Sequence, residues 1–182
     1  NLRLLDEGSA DVALVQGGLA TLGDAESLRS LGGLFHEPFW VFVRDEAGVK
    51  DFGQLRDLRM AIGPDGSGTR LLALDLQNEF DGVWPAASRN SLTGIAAADA
   101  LIEGKLDAAA FAASPDAVYV QTLLRAPGIS LLPFERAEAL SRRQPALAAV
   151  VLLRGVVDIG ADLPAHDVSL VAPVAQLVVR KS

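Results

Sequence analysis

Short apolar runs alternate with segments of helical spacing along most of the chain. Seven runs have the length and the branched or aromatic residues of buried strands. They cover residues 12–15, 39–43, 59–62, 108–111, 129–133, 148–153 and 177–179. Apolar residues at helical spacing occupy residues 69–80, 93–103 and 115–125 between them. This alternation predicts an α/β protein with a mostly parallel sheet.

The two ends of the sequence give weaker patterns. Residues 134–145 predict a polar helix that Pro145 stops, and residues 155–169 predict a loop. Residues 1–5 resemble the middle of a helix, because no capping residue or turn precedes them. We therefore expect the chain to be an excised segment with further sequence upstream.

A nine-residue pattern occurs twice. Residues 5–13 and 101–109 share L-x-E-G-x-x-D-x-A. In each copy a helix would end at a glycine in the left-handed conformation, and an aspartate would then open a short buried strand. Chance and common loop chemistry offer one explanation. The other is that two lobes repeat the same helix–turn–strand unit.

Composition narrows the function classes. Half of the 182 residues are hydrophobic and the mean hydropathy is +0.29, which suits a sizeable buried core. The net charge is −7 and the basic residues are scattered, so we expect no nucleic-acid partner. The lack of cysteine excludes disulfides, thiolate catalysis and cysteine–zinc sites. The apolar runs are too short to span a membrane.

The segment GPDGSGTR, residues 63–70, lies between a predicted strand and a predicted helix. It lacks the lysine of a P-loop, the third glycine of a dinucleotide fingerprint and the glycine spacing of a nucleophile elbow. An anion cradle remains, with hydroxyls from Ser67 and Thr69, close backbone approach at Gly66 and Gly68, and Arg70 to pair with a carboxylate. The alternative is a well-capped helix start without a ligand, and a solvated Arg70.

Other candidate residues lie at the ends of predicted strands, where open α/β sheets bind ligands. Gln16 and Gly17 end the strand of residues 12–15 and would bind a ligand or form a turn, and Phe111 and Ser114 end the matching strand of the second copy. Ser114 is also a candidate cap for a helix that begins at Pro115.

The remaining polar residues predict no catalyst. His36 and His166, the only histidines, have no metal-ligand spacing, and paired acid–base residues are scarce. We therefore expect no enzyme activity, no cofactor and no metal.

Four segments follow one another along the chain: the repeat, DVALVQGG, EPFWVFVRDEAGVKDFGQLRDLRMAIGPDGSGTR, and LDAAAFAASPDAVYVQTLLRAPGISLLPFE. Their order and spacing resemble those of the TAXI-type solute-binding proteins of TRAP transporters. The similarity covers residues 1–135 and weakens afterwards. In this family a glycine-rich ligand loop would precede Asn1, and a helix, in some relatives with a membrane-associated tail, would follow Ser182.

The resemblance implies a two-lobe type II periplasmic-binding-protein fold with lobe one incomplete. Residues 1–44 and 136–182 would form part of lobe one, and residues 45–135 would form lobe two. It also implies an extracytoplasmic, monomeric protein, free or anchored to the membrane in its full-length form, that captures a small carboxylate-type solute for membrane transporter subunits. An effector-binding module of a regulator or receptor is the alternative. An upstream signal peptide would favour the transporter, and a flanking DNA-binding motif would favour the regulator.

Overall fold

Nine strands and five α-helices form in the part of the chain that the computed structural model describes, residues 2–16, 27–80 and 85–181. In chain order they are α1 (Leu2–Asp6), β1 (Val12–Gln16), β2 (Leu28–His36), β3 (Phe39–Arg44), β4 (Met60–Ala61), α2 (Gly68–Glu79), β5 (Arg89–Asn90), α3 (Gly94–Ile102), β6 (Ala108–Ala112), α4 (Val118–Arg125), β7 (Ile129–Leu131), α5 (Ala137–Arg143), β8 (Leu147–Leu152) and β9 (Val168–Arg180).

The sheet is mixed and largely antiparallel, so the expectation of a mostly parallel sheet is wrong. Among the described strands, β4 is parallel to β5 and β6, and every other pair is antiparallel. A parallel pair needs a crossover connection, usually a helix, between its strands. The order β4–α2–β5–α3–β6 supplies such helices, whereas no helix separates β2 from β3 or β8 from β9.

Strand β9 connects the two ends of the sheet. Its first half, up to Pro173, pairs with β8 and contacts β3 at Phe39, while its second half, from Val174, pairs with β1 and β2. β9 therefore belongs to both halves, and the strands paired with its two halves form two sheets that share this one strand. β2 and β3 follow each other along one side of β9, so two long antiparallel strands run through the whole sheet.

The buried residues nevertheless form two clusters. The larger one is centred on β3, β4 and β6 and includes Trp40, Leu76 and Leu101. The smaller one consists of Leu5, Val15, Leu28 and Val178. The long strands cross from one cluster to the other between these groups.

The predicted lobe boundaries stay a prediction. Residues on both sides of position 135 share the larger cluster, since Leu147 and Val171 belong to it together with Phe52 and Leu123.

The repeated pattern adopts the same conformation twice. Gly8 and Gly104 have φ values of +73° and +75°, so both glycines end their helices in the left-handed region, as the pattern predicts. Their backbone N–H groups donate to the carbonyls of Leu5 and Leu101 over 3.1 and 3.2 Å. Both leucines are fully buried. Each unit then leads into a strand, β1 or β6, through an aspartate.

Candidate ligand-binding site

The carboxyl ends of β1 and β6 point toward each other along β9. β1 runs antiparallel to β9 and ends at Gln16, opposite Ala175. β6 ends at Ala112, opposite Phe39, which in turn lies opposite Val171. Because β3 is antiparallel to both neighbours, β6 runs in the same direction as β9. Four residues of β9 therefore separate the two strand ends, about 13 Å at the usual rise of a strand.

The loop of residues 63–70 lies at the β6 side of this gap. It follows β4, which is parallel to β6, and so begins at the same edge of the sheet as the end of β6. The Thr69 hydroxyl oxygen accepts a hydrogen bond of 3.1 Å from the backbone N–H of Ala112. This contact joins the first turn of α2 directly to the carboxyl end of β6.

Local geometry explains the glycines and the serine of the loop. Gly63 has a φ of +85°, which favours glycine, and a Cβ atom there would lie 2.7 Å from the Ser67 hydroxyl oxygen and would displace it. Ser67 caps α2, since its hydroxyl accepts the Arg70 backbone N–H over 3.3 Å. Gly66 also has a positive φ, +77°, but a Cβ atom there would meet open space.

Two donors of the first turn of α2 remain free. Among the described residues, the backbone N–H groups of Gly68 and Thr69 have no acceptor. The Thr69 hydroxyl has used its oxygen as an acceptor and keeps its own proton for donation. A helix N-terminus with free N–H groups favours negative charge. The helix cap and the free donors of the predicted cradle thus occur together, and the binding of an anion there stays a prediction.

Arg70 is held inside the loop. One terminal nitrogen of its guanidinium donates to the Gly63 carbonyl over 3.0 Å, and Nε lies 2.8 Å from the Asp65 carboxylate. The Arg70 side chain is only 18% exposed, whereas that of Asp65 is 93% exposed. Arg70 does pair with a carboxylate, but the carboxylate belongs to its own loop. An external anion would have to share the guanidinium with Asp65.

Gln16 offers a donor from the opposite side of the gap. Its side-chain Nε2 is buried and has no hydrogen-bond partner. A buried amide donor without an acceptor costs free energy until a ligand or water supplies one. Gly17, the other candidate at this strand end, lies outside the described residues.

Phe111 and Ser114 have mainly structural contacts. Phe111 is buried and packs against Phe42 and Tyr119, with ring centroids 6.2 and 5.1 Å apart. Ser114 accepts the Asp116 backbone N–H over 3.2 Å and is exposed. The expected cap of a helix at Pro115 is wrong, because α4 begins only at Val118 and Ser114 closes the turn before it.

The sequence analysis missed Glu37, which lies where the two long strands pass between the core clusters. Its backbone N–H donates to the Pro173 carbonyl over 3.0 Å, and the carbonyl of the next residue, Pro38, accepts from Ala113 over 3.3 Å. Burial raises the pKa of the Glu37 carboxyl. The signal was available: an acidic residue directly before a proline, next to a fully apolar strand.

Tyr119 lies near this glutamate at the same edge of the sheet. Its pKa is raised, first by burial and then by the negative charge of Glu37. The ring also covers Gly94, where a Cβ atom would lie 3.9 Å from the tyrosine ring. An acid and a phenol therefore lie near each other at the amino end of β3.

A surface cavity lies apart from the candidate site. It has a volume of about 400 Å³ and lies between α5 and the far end of α2, beside Asn78 and Arg136.

Within the described ranges, no group of three His, Cys, Asp or Glu residues could hold a metal ion. No described helix combines the length and the apolar character needed to cross a bilayer.

Comparison with known families adds the decisive observation. The family model described as "NMT1-like family" matches residues 1–182. The chain belongs to the NMT1-like family. No curated protein matches it.

Solved structures with the same fold include two binding proteins and OxyR. This NMT1-like chain is 19% identical to the Corynebacterium glutamicum OxyR C206 mutant, with a TM-score of 0.56 over 100% of this chain and 45% of that one. It is 22% identical to the periplasmic aliphatic sulphonate binding protein SsuA from Escherichia coli, with a TM-score of 0.54 over 72% and 45%. It is 14% identical to the amino acid ABC transporter substrate-binding protein AbpA from Streptococcus pneumoniae bound to L-arginine, with a TM-score of 0.54 over 100% and 59%.

These likenesses confirm the α/β, periplasmic-binding-protein-like fold that the resemblance implies. The NMT1-like chain spans about half the length of the structures it matches. The finer assignment to TAXI proteins and TRAP transporters stays a prediction.

Proposed function

We propose that the chain forms part of an extracytoplasmic solute-binding protein. It captures a small carboxylate-type anion and delivers it to the membrane subunits of a TRAP-type transporter. The observation that carries this proposal is the opposed pair of strand ends, with the loop of residues 63–70 at the end of β6. Open α/β sheets bind ligands at such carboxyl ends.

In this proposal the anion lies at the first turn of α2. The free N–H groups of Gly68 and Thr69 and the two hydroxyls of Ser67 and Thr69 supply the donors. Gly66 leaves the approach open, because no atom lies within 4 Å of the place where its Cβ would be. Arg70 holds the loop and adds positive charge, which favours an anion even while Asp65 is paired with it.

Gln16 completes the site from the smaller cluster. Its unpaired Nε2 would donate to the solute when the two halves approach. A role for Gly17, the next residue in the sequence, is part of the same proposal. The long strands at Glu37 and Pro173 are the only described connections that cross between the clusters at this point, which suits a hinge. A ligand that contacts both halves would shift the population toward the closed form.

Binding of carboxylates to the full-length protein tests this function. Native mass spectrometry identifies any retained solute, and calorimetry with amino acids, 2-oxo acids and 2-hydroxy acids measures affinity. We expect binding with no turnover of the solute. Conversion of a bound solute to product, or no binding of any carboxylate, would overturn the proposal.

An effector-binding module of a transcription regulator is the second candidate. The likeness to OxyR over the whole chain favours it, at a TM-score of 0.56. Cell fractionation separates the two. Release of the full-length protein by osmotic shock supports the transport function, whereas retention with the cytoplasm and ligand-dependent binding to DNA supports the regulator.

A further inference from the structure

The surface cavity between the ends of α2 and α5 has the size of a small-molecule site. Its volume is about 400 Å³, which lies within the range of known ligand pockets. The last turn of α2 supplies Asn78 and Glu79 to its lining, and Phe80 directly follows that helix. The cavity therefore lies at the opposite end of α2 from the loop of residues 63–70, about 18 Å away at the usual rise of a helix.

One face of α5 forms a wall with two cationic ends and an apolar centre. The residues that line the cavity here are Arg136, directly before the helix, Ala139, Leu140 and Arg143. Their spacing, i, i+3, i+4 and i+7, places them in a row on one side of the helix. The row is about 10 Å long at the usual rise per residue. The alanine leaves room in its centre, because its side chain is a single methyl group.

The two arginines differ in what they contact. Arg143 Nε lies 2.7 Å from the Glu79 carboxylate, which also accepts a hydrogen bond of 3.3 Å from Gln144. These bonds lower the pKa of Glu79, so its carboxylate is ionised and paired at neutral pH. The central guanidinium carbon of Arg136 instead lies 4.9 Å from the centroid of the Phe80 ring. Among the described residues, the Arg136 side chain forms no ion pair and donates no hydrogen bond.

Stacking on Phe80 orients the Arg136 guanidinium without using its N–H groups. A stacked guanidinium contacts the ring with its flat face, and its donors point outward in its own plane. The Phe80 ring is itself fixed by the buried ring of Phe52, at 5.2 Å between centroids. Since the charges of Glu79 and Arg143 cancel, the lining keeps one positive charge, at Arg136, in a chain of net charge −7.

We propose that this cavity binds a small monocarboxylate with an apolar body. The carboxylate lies on the guanidinium of Arg136, and the apolar body lies over Ala139 and Leu140. A carboxylate fits the planar fork of an arginine, which donates two parallel hydrogen bonds to it. A dianion would bring a second negative charge toward Glu79, which Coulomb repulsion disfavours. This site is separate from the first turn of α2, so the inference does not rest on the proposed function.

Calorimetry on the full-length protein tests the site with two probes, phenylacetate and hexanoate, and with their neutral amides. The aromatic and the aliphatic probe show which apolar body the cavity prefers. Arg136→Gln removes the unpaired charge, and Ala139→Phe fills the space while Arg136 remains. Arg142→Gln is the matched control, because Arg142 is an exposed arginine of the same helix outside the cavity lining. Melting temperature checks that each variant is folded.

We expect at least one of the two carboxylates to bind, and its amide to bind at least about tenfold more weakly. Arg136→Gln should weaken the carboxylate about ten- to a hundredfold, the range for a lost hydrogen bond to a charged group. Ala139→Phe should also weaken it, although it removes no charge. Arg142→Gln should change the affinity by less than about twofold, because its exposed charge is screened.

Weakening by both cavity variants, with Arg142→Gln unchanged, supports the site. Binding of neither carboxylate overturns it. Binding that Arg136→Gln or Ala139→Phe leaves unchanged overturns it as well, because the probe then lies elsewhere. A solute bound at the first turn of α2 should keep its affinity in Arg136→Gln and Ala139→Phe. The failure of this site and the failure of the proposed function are therefore separate results.

Discussion

Glu37 and Pro173 are joined by a backbone hydrogen bond of 3.0 Å at the place where the two long strands leave one core cluster for the other. On either side of this bond the strands pair in register, His36 with Val174 and Phe39 with Val171. Pro38 and Pro173 both lack a backbone N–H, so fewer hydrogen-bond donors are available here than along the rest of β9. Bending at this point would leave both core clusters intact.

A hinge at Glu37 and Pro173 predicts closure when a solute binds. Spin labels at Arg29→Cys, in β2, and Asp116→Cys, before α4, report the separation of the two halves by pulsed electron resonance. This chain contains no native cysteine, and both positions are exposed. We expect a shorter distance in the presence of the solute found by native mass spectrometry.

The control for this measurement lies within the larger half. Labels at Asp116→Cys and Arg142→Cys should keep their distance, because α5 packs into the larger cluster. An equal change in both pairs, or none in the first, contradicts a hinge at the crossing strands.

Thr69 carries a structural bond as well as a candidate ligand donor. Thr69→Val leaves the Ala112 N–H without its acceptor, and an unsatisfied donor costs about 1–3 kcal/mol of stability. Thr69→Ser keeps the hydroxyl and should retain most of that stability. Urea unfolding of the two variants measures the difference. Equal stability of Thr69→Val and wild type would show that the bond to β6 contributes nothing.

Alanine substitutions at Gly63 and Gly66 test how much the loop conformation contributes to stability. Both have a positive φ, so alanine at either position costs about 1–2 kcal/mol of stability. Gly63→Ala also pushes a Cβ atom against the Ser67 hydroxyl and should lose the helix cap, which adds about 1 kcal/mol. We expect Gly63→Ala to be the less stable variant in thermal unfolding. The reverse order would contradict the cap geometry.

Asp107 gives the fold a dependence on pH. Hydrogen bonds from Arg59, at 2.6 and 2.9 Å, lower the pKa of its carboxyl below the ordinary value of 3.8. An acid with a lowered pKa stabilises the fold above its unfolded pKa and loses this contribution as the pH falls through its folded pKa. Asp107→Asn should therefore lower the melting temperature at pH 7, and this effect should disappear as the pH falls below 3.8 and through the lowered pKa of the folded state.

Asp11 is the matched control for Asp107. It holds the same place in the repeated pattern, but its side chain is 87% exposed and accepts a single bond from Arg180 at 3.2 Å. Exposed ion pairs contribute little, so Asp11→Asn should change the melting temperature less than Asp107→Asn. A larger fall in melting temperature at pH 7 for Asp11→Asn than for Asp107→Asn would contradict this prediction.

Much of the larger half could be predicted from the sequence, since α2, α3, α4, β3 and β6 follow clear apolar periods. β2 was missed because Gly32 and Gly33 interrupt it and most of its residues are exposed. β9 was predicted only at residues 177–179, because Pro173 is typical of a strand end. In the structure this proline lies at the crossing, where Glu37 donates to its carbonyl.

The residues of the candidate site also fall into those that the sequence predicted and those that it did not. The loop of residues 63–70 was predicted because its chemistry is local, in glycines and hydroxyls within one turn. Glu37 could not be predicted from the sequence, because its position near Tyr119 depends on the pairing of β3 with β6 and β9. The pairing of Arg70 with Asp65 was missed although both belong to the loop, because spacing alone does not show which way a guanidinium turns.

The position of β9 near the end of the chain determines when the other strands can pair during translation. It pairs with β1, β2, β3 and β8, all of which leave the ribosome before it. The pairing of β1 with β9 places Val12 opposite Val179, almost at the other end of the chain. Pairing across such a separation is slow, and unpaired strand edges are prone to aggregation while they wait. β1 and β2 therefore spend most of translation without their partner, whereas β4, β5 and β6 can assemble early with their own helices. A nascent chain stalled before residue 168 should depend on chaperones at its N-terminal strands and not at α2 or α3.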